Sequence, residues 1–247
     1  MSGLLWRACL AAATLVVSPL AQAETLNLLV ADIARNSIAQ LIPGFEKLYQ
    51  HQVVIQSAPA PLLLQRLEAG ERADIIILDA VSLDRLEAQK KLRSLETAEL
   101  GRAGLGVAVK AGGAIPPVFT EDEFKTSLNA SRTIAYAESE AESAAQFHVA
   151  LARLKLASQT ATKLRPLARP DMVERALASG EIDMAVGWAS EFVNRPGIVL
   201  AGFLPHSLQK WLVVRAARIS DGEPARAFID HIADDDNLKL FTRSGFR

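Results

Sequence analysis

The chain is nearly without cysteine. Its one cysteine, Cys9, lies in an apolar stretch at the N-terminus, so the remainder can form no disulfide, thiol nucleophile or thiolate metal site. Charge of one sign is missing too. The 27 basic and 28 acidic residues are spread along the chain and nearly cancel, which excludes a basic face for nucleic acid or a polybasic tail for a membrane surface. Beyond the N-terminal stretch no apolar run is long enough to span a bilayer. There is no G-x-S-x-G and no phosphate-binding G-x-x-x-x-G-K-[ST]. Gly104-Leu105-Gly106 lacks the third glycine of a dinucleotide loop. The four histidines, His51, His148, His206 and His231, are far apart and unpaired at helical spacing, so no histidine metal site is indicated. Asp and Glu are plentiful, but nothing singles out a catalytic pair. No catalytic residue, metal or cofactor is expected. There is no repeat of solenoid period and no low-complexity tract.

What is present begins with an export signal. Arg7, the apolar Ala8 to Val17 and Ala21-Gln22-Ala23 form the charged, hydrophobic and cleavage regions of a signal peptide over residues 1–23. Cleavage after Ala23 gives a soluble periplasmic product starting at Glu24. Cys9 follows Trp-Arg-Ala instead of closing the apolar run, so a lipid anchor is not indicated.

The mature chain then alternates strand and helix. Leu26 to Ala31 reads as a buried strand, followed by a polar corner from Asp32 to Ser37 and a helix from Ser37 to Gln50 interrupted at Pro43. Gln52 to Gln56 is a strand, Ser57 to Pro61 a loop, Leu62 to Ala69 a helix stopped by Gly70. Ala73 to Leu78 is an apolar strand suited to a sheet covered on both faces, and Ser82 to Lys91 a helix. This order implies α/β architecture with mostly parallel strands. After a glycine-bearing strand, Ala103 to Lys110, and a helix, Glu121 to Leu128, a second α/β run begins. It holds strand Thr133 to Ala137, loop Glu138 to Ser143, helix Ala144 to Leu156, helix Pro170 to Ser179 with a poor cap, and strand Ile182 to Trp188. Strands Ile198 to Ala201 and Lys210 to Ala216, helix Pro224 to Ala233 and a short helix near Leu238 close the chain. One lobe inserted into another, joined by two crossing segments, fits this pattern, as does a single doubly wound domain. Ligands of open α/β sheets collect beyond the carboxyl ends of strands, and free N–H groups at helix starts favour anions. The corner Asp32 to Ser37 is therefore the first candidate wall of a binding site.

The ordered segments LIPGFEKLYQHQVVI (41–55), LLLQRLEAGERADIIIL (62–78), LGVAVKAG (105–112), IAYAESEAESAAQFHVALARL (134–154) and ALASGEIDMAVGWASEF (176–192) resemble the type II periplasmic solute-binding proteins of ABC importers, in particular the molybdate-binding family. The resemblance covers nearly the whole mature chain. It implies a two-lobe α/β fold with a two-segment hinge: lobe 1 from 24–104 and 205–247, and lobe 2, inserted, from 105–204. It implies a monomer that clamps a small anionic solute between its lobes and presents it to an inner-membrane ABC permease, with no nucleic-acid partner and no membrane insertion. The different-class alternative is a periplasmic sensor or partner-binding protein on the same scaffold. A periplasmic enzyme is a third possibility, and its sign would be a cleft carboxylate pair with perturbed pKa values.

The resemblance also places the ligand residues. Ile33 stands where molybdate binders carry a serine, and Ser57, Ala58 and Pro59 replace their glycine–serine loop. Pro59 lacks an N–H donor. The basic residue of the first corner, Arg35, suits a carboxylate held bidentately, so an organic acid is favoured over a molybdate-like oxyanion. Ser139 and Ser143 are expected to hydrogen-bond the ligand from lobe 2, and Ala58 to lend a backbone contact. Trp188 is a candidate lid over a planar ligand. Asp32 either accepts from the ligand or pairs with Arg35. Glu138, Glu140 and Glu142 are expected to project outward.

Overall fold

In the computed structural model, residues 23–139 and 141–247 are described. Residues 1–22, on which the expected signal peptide falls, and Glu140 lie outside the described residues. The chain folds as β1 (Thr25–Ala31), α1 (Asp32–Tyr49), β2 (Gln52–Ala58), α2 (Ala60–Glu68), β3 (Ile75–Asp79), α3 (Ala80–Ala88) and β4 (Glu96–Ala103). There follow β5 (Leu105–Lys110), α4 (Glu121–Ala130), β6 (Ile134–Ala137), α5 (Ala141–Arg153), α6 (Ala157–Thr160), β7 (Leu164–Leu167) and α7 (Pro170–Ser179). The last elements are β8 (Met184–Trp188), α8 (Ala189–Phe192), β9 (Ile198–Phe203), a 3-10 turn at His206–Leu208, β10 (Leu212–Arg218), α9 (Glu223–Ala233) and α10 (Asp235–Arg243).

The strands form two five-stranded sheets, ordered β2-β1-β3-β10-β4 and β7-β6-β8-β5-β9. In each, the strand in fourth place runs against its neighbours, and the other pairings are parallel. Ile75 to Leu78 are all buried, as the continuous apolar run requires of a strand sandwiched between helices. α1 buries Ile33, Ala34, Ile38, Leu41 and Phe45, a stripe at helical spacing. The Phe45 ring meets Phe228 of α9 edge-on at 4.9 Å. Burying a phenylalanine contributes about 1.5–3 kcal/mol.

Three expected loops are shorter than predicted. α1 starts at Asp32, directly after β1, and runs unbroken through Pro43. β2 continues to Ala58, with α2 starting at Ala60, and α5 starts at Ala141. Some of the polar residues that signalled loops, Asp32 and Glu142 among them, are first-turn helix residues, where an uncovered N–H is tolerated or sought. Two strands were not predicted. β4 is ETAELGRA with alternate exposure, and β7 is LRPL with a proline. Both sit at sheet edges, where polar residues and proline are accepted.

The chain crosses between the sheets at Gly104 and returns between β9 and β10. The Gln209 side chain accepts from the Leu105 N–H at 2.9 Å and donates to the Leu105 carbonyl at 2.8 Å, which ties the two crossings together. The C-terminal residues join them, with Phe246 bridging to Ala103 and Arg247 N–H donating to the Arg102 carbonyl at 2.9 Å.

Candidate functional site

Two cavities of about 520 Å³ each lie beyond the carboxyl ends of β1 and β2 on one side and of β6, β7 and β8 on the other. One is polar and lined by Asp32, Arg35, Asn36, Ser57, Ala58, Pro59, Ser139, Arg169, Asp171, Glu174 and Glu191. The other is mainly apolar, with Ile33, Leu64, Val81, Trp188 and Trp211 in its wall and Glu142 and Lys210 at 2.8 Å from each other. β1 pairs with β2 so that Ala31 faces Ala58 and Val30 faces Ser57. That register brings the starts of α1 and α2 side by side.

Three helices present their first turns to the polar cavity: α1 at Asp32, α2 at Pro59 and α7 at Arg169 and Pro170. At none of the three does a side chain cap the free N–H groups. In contrast, Asp79 caps α3 and Thr120 closes a capping box on α4. Uncapped first turns are anion sites by their partial positive charge and their unused donors. The Ser139 hydroxyl is buried without a hydrogen-bond partner among the described residues. Arg35 has no ion pair or hydrogen bond among the described residues, whereas Arg169 is 3.0 Å from Asp171.

The acids of this cavity differ in their partners. Asp171 accepts from Arg169 and, at 2.8 Å, from Arg175. Glu174 is held by Arg195, with Nε 3.0 Å from one oxygen and Nη2 3.2 Å from the other. Its pKa is still raised: burial outweighs Arg195, the more distant Arg35 also lowering it and Asp171 raising it. Asp32 forms no ion pair among the described residues. Burial raises its pKa, against the Arg35 charge and the Ser57 side chain, which pull it down. The expected Asp32–Arg35 pair is therefore only a longer-range attraction.

The sequence-predicted residues divide between the cavities. Asp32, Arg35, Ser57, Ala58, Pro59 and Ser139 line the polar one, Ile33 and Trp188 the apolar one. Ser143 is buried and lines neither. Trp188 is 1% exposed, so it stands as a wall in this conformation and not as an open lid. Glu138 is exposed, as expected of an outward residue, but Glu142 reaches the rim of the apolar cavity and is neutralised there by Lys210. Sequence reasoning missed Arg169, Asp171, Glu174 and Glu191. The one signal was the poor cap of α7 at Arg169, since an unsatisfied helix start is what a ligand site looks like in a sequence. Among the described residues no group of three or more acids and histidines is placed to hold a metal, and no helix is long and apolar enough to cross a membrane.

Known proteins share this fold. The periplasmic molybdate-binding protein of Azotobacter vinelandii superposes with a TM-score of 0.71 at 19% identity, covering 90% of this chain and 98% of that one. The sulfate-binding protein of Mycobacterium tuberculosis gives 0.64 at 13% identity, covering 91% and 86%. The fold is thus the two-lobe type II periplasmic binding protein fold. An aconitate isomerase from Pseudomonas sp is 28% identical over 250 residues, 96% of this chain and 94% of that protein. Residues 26–247 match the family model described as bacterial extracellular solute-binding protein, and the chain belongs to that family.

Proposed function

We propose that this is a periplasmic binding protein whose polar cavity clamps a small organic polycarboxylate between lobe 1 (24–104 and 205–247) and lobe 2 (105–204). One observation carries this reading: three uncapped helix starts, from both sheets, meet at a single cavity beside Arg35, which has no ion pair among the described residues. Backbone donors and a guanidinium suit carboxylates. Ser139, whose hydroxyl has no partner among the described residues, adds a donor from the second lobe. A cavity of about 520 Å³ has room for a ligand larger than a tetrahedral oxyanion, a small polyacid included. The name of the aconitate isomerase relative points to tricarboxylates within this class. Ligand bridging both lobes would favour a closed form, which an inner-membrane ABC permease could recognise. The protein acts as a monomer in this reading.

Calorimetric titration of the purified protein with di- and tricarboxylates, sulfate and molybdate tests the reading. Saturable binding of a carboxylate, weakened by Arg35→Ala, is expected. Binding of molybdate or sulfate alone would overturn it.

A second reading, an enzyme on the same scaffold, is favoured by that relative together with two cavity carboxylates, Asp32 and Glu174, whose pKa values burial raises.

A further inference from the structure

An anion cavity lined by Asp32, Asp171, Glu174 and Glu191 is at odds with simple capture, because like charges repel a bound anion at short range. Two of these acids are neutralised from behind. Asp171 is spanned by Arg169 and Arg175, and Glu174 is held bidentately by the Nε and Nη2 of Arg195. Asp32 is not. It opens α1 at the cavity wall, half-buried, with the Ser57 side chain as its near partner and Arg35 one helical turn on. Its position in the first turn favours the charged form, while its burial makes that carboxylate a stronger base than an exposed one. A carboxylate kept beside an anion site with a hydroxyl neighbour but no ion pair among the described residues can do something for the ligand other than hold it.

We propose that Asp32 is a proton-transfer residue, acting on an unsaturated polycarboxylate bound in the polar cavity and moving its double bond by one carbon. The inference rests on the binding reading above and adds chemistry to it. The Asp32 carboxylate takes a proton from a methylene carbon that lies next to the double bond. The C–H bond breaks and a carboxyl O–H bond forms. The released electron pair becomes the new double bond to the central carbon, and the old double-bond pair moves to the far carbon. Asp32 returns a proton there. No atom is gained or lost, and no oxidant, metal or second substrate is needed. Arg35, Arg169 and the uncapped first turns of α1, α2 and α7 stabilise the charge that develops on the ligand's carboxylates during transfer. In propene-1,2,3-tricarboxylate this shift regenerates the same skeleton, so it interconverts the cis and trans isomers without rotation about a double bond.

The test uses trans-aconitate with the purified protein, following isomer composition by proton NMR and binding by calorimetry. The wild-type protein is expected to bind and interconvert the isomers. Asp32→Asn should lower the rate by about 10²–10⁴-fold, the range for loss of a general acid–base, while changing the dissociation constant less than about tenfold. Asp32→Ser, which also removes the carboxylate, guards against an idiosyncratic effect of the amide and should behave alike. Binding without conversion by the wild type would overturn the inference and leave the binding reading intact. Conversion undiminished in both variants would overturn the role of Asp32. Absence of binding by the wild type would overturn the inference together with the reading it rests on.

Discussion

The Ser190 hydroxyl, buried at the start of α8, donates to the Ile33 carbonyl at the start of α1 over 2.7 Å. It is a direct link between elements that follow strands of different sheets, and Asn36 supports it by reaching the Ser190 carbonyl at 3.5 Å. Ser190→Ala removes a buried hydrogen bond without removing much volume. The expected loss is about 1 kcal/mol, or a midpoint shift of roughly 2–4 °C for a chain of this size. Thermal unfolding with and without ligand measures it. No shift would mean that the contact contributes nothing net.

Arg35 lines the polar cavity with no ion pair or hydrogen bond among the described residues and only longer-range attraction to Asp32 and Glu174, so its removal breaks no short contact there. Arg35→Ala is expected to leave thermal stability near wild type and to weaken carboxylate binding by about 1.5–3 kcal/mol, the worth of a charge-assisted hydrogen bond. Arg35→Lys should recover only part, because a point charge cannot reproduce the planar fork. Calorimetry on the three proteins separates these outcomes, and equal affinities would remove Arg35 from the site.

Asp32 gives a pH-dependent prediction of fixed sign. Its pKa is higher in the folded protein than in the unfolded chain, through burial. The folded state therefore holds the proton more tightly, and ionisation costs stability. The cost is absent below the ordinary carboxylate range and complete above the raised folded value. Asp32→Asn should therefore stabilise the ligand-free protein at neutral pH by less than about 1 kcal/mol, since the group is half-exposed and screened. That gain should vanish as pH falls through the folded value towards the ordinary one. Denaturant titrations at pH 7 and pH 4 check it. A variant less stable at pH 7 would mean that Asp32 is held by attraction.

The order of elements was legible because Ile75 to Leu78 and the stripe of α1 carry strong periodic signals. The edge strands β4 and β7 were not, because their solvated positions carry charged residues and a proline in place of the apolar run that marks an inner strand. In the site, the first-sheet wall from Asp32 to Pro59 could be read from where β1 and β2 end. The second-sheet wall could not. Arg169, Asp171 and Glu174 belong to the start of a charged helix, a pattern that usually marks a solvated face. The pairing of Arg175 with Asp171 follows helical spacing, but that of Arg195 with Glu174 joins residues far apart in the chain, and it gives the wall its defined charge.

Gly104 lies where the chain first passes between the sheets, and Trp211 lies on the return segment. A Cβ at Gly104 would stand 2.5 Å from the Trp211 ring, well inside van der Waals contact. The same ring lies 5.3 Å from the Phe203 ring, with the Arg247 guanidinium 4.6 Å from the Phe203 centroid, so it has little freedom to retreat. Gly104→Ala is therefore expected to cost about 1–3 kcal/mol, as overpacking does. Trp211 also walls the apolar cavity, so its displacement should change tryptophan fluorescence. Trp211→Leu placed in the Gly104→Ala background removes the clash and should cost less than the two single changes combined. Chemical denaturation of the wild type, both single variants and the double variant gives the coupling. Strict additivity would show that the glycine is kept for some reason other than the approach of this ring.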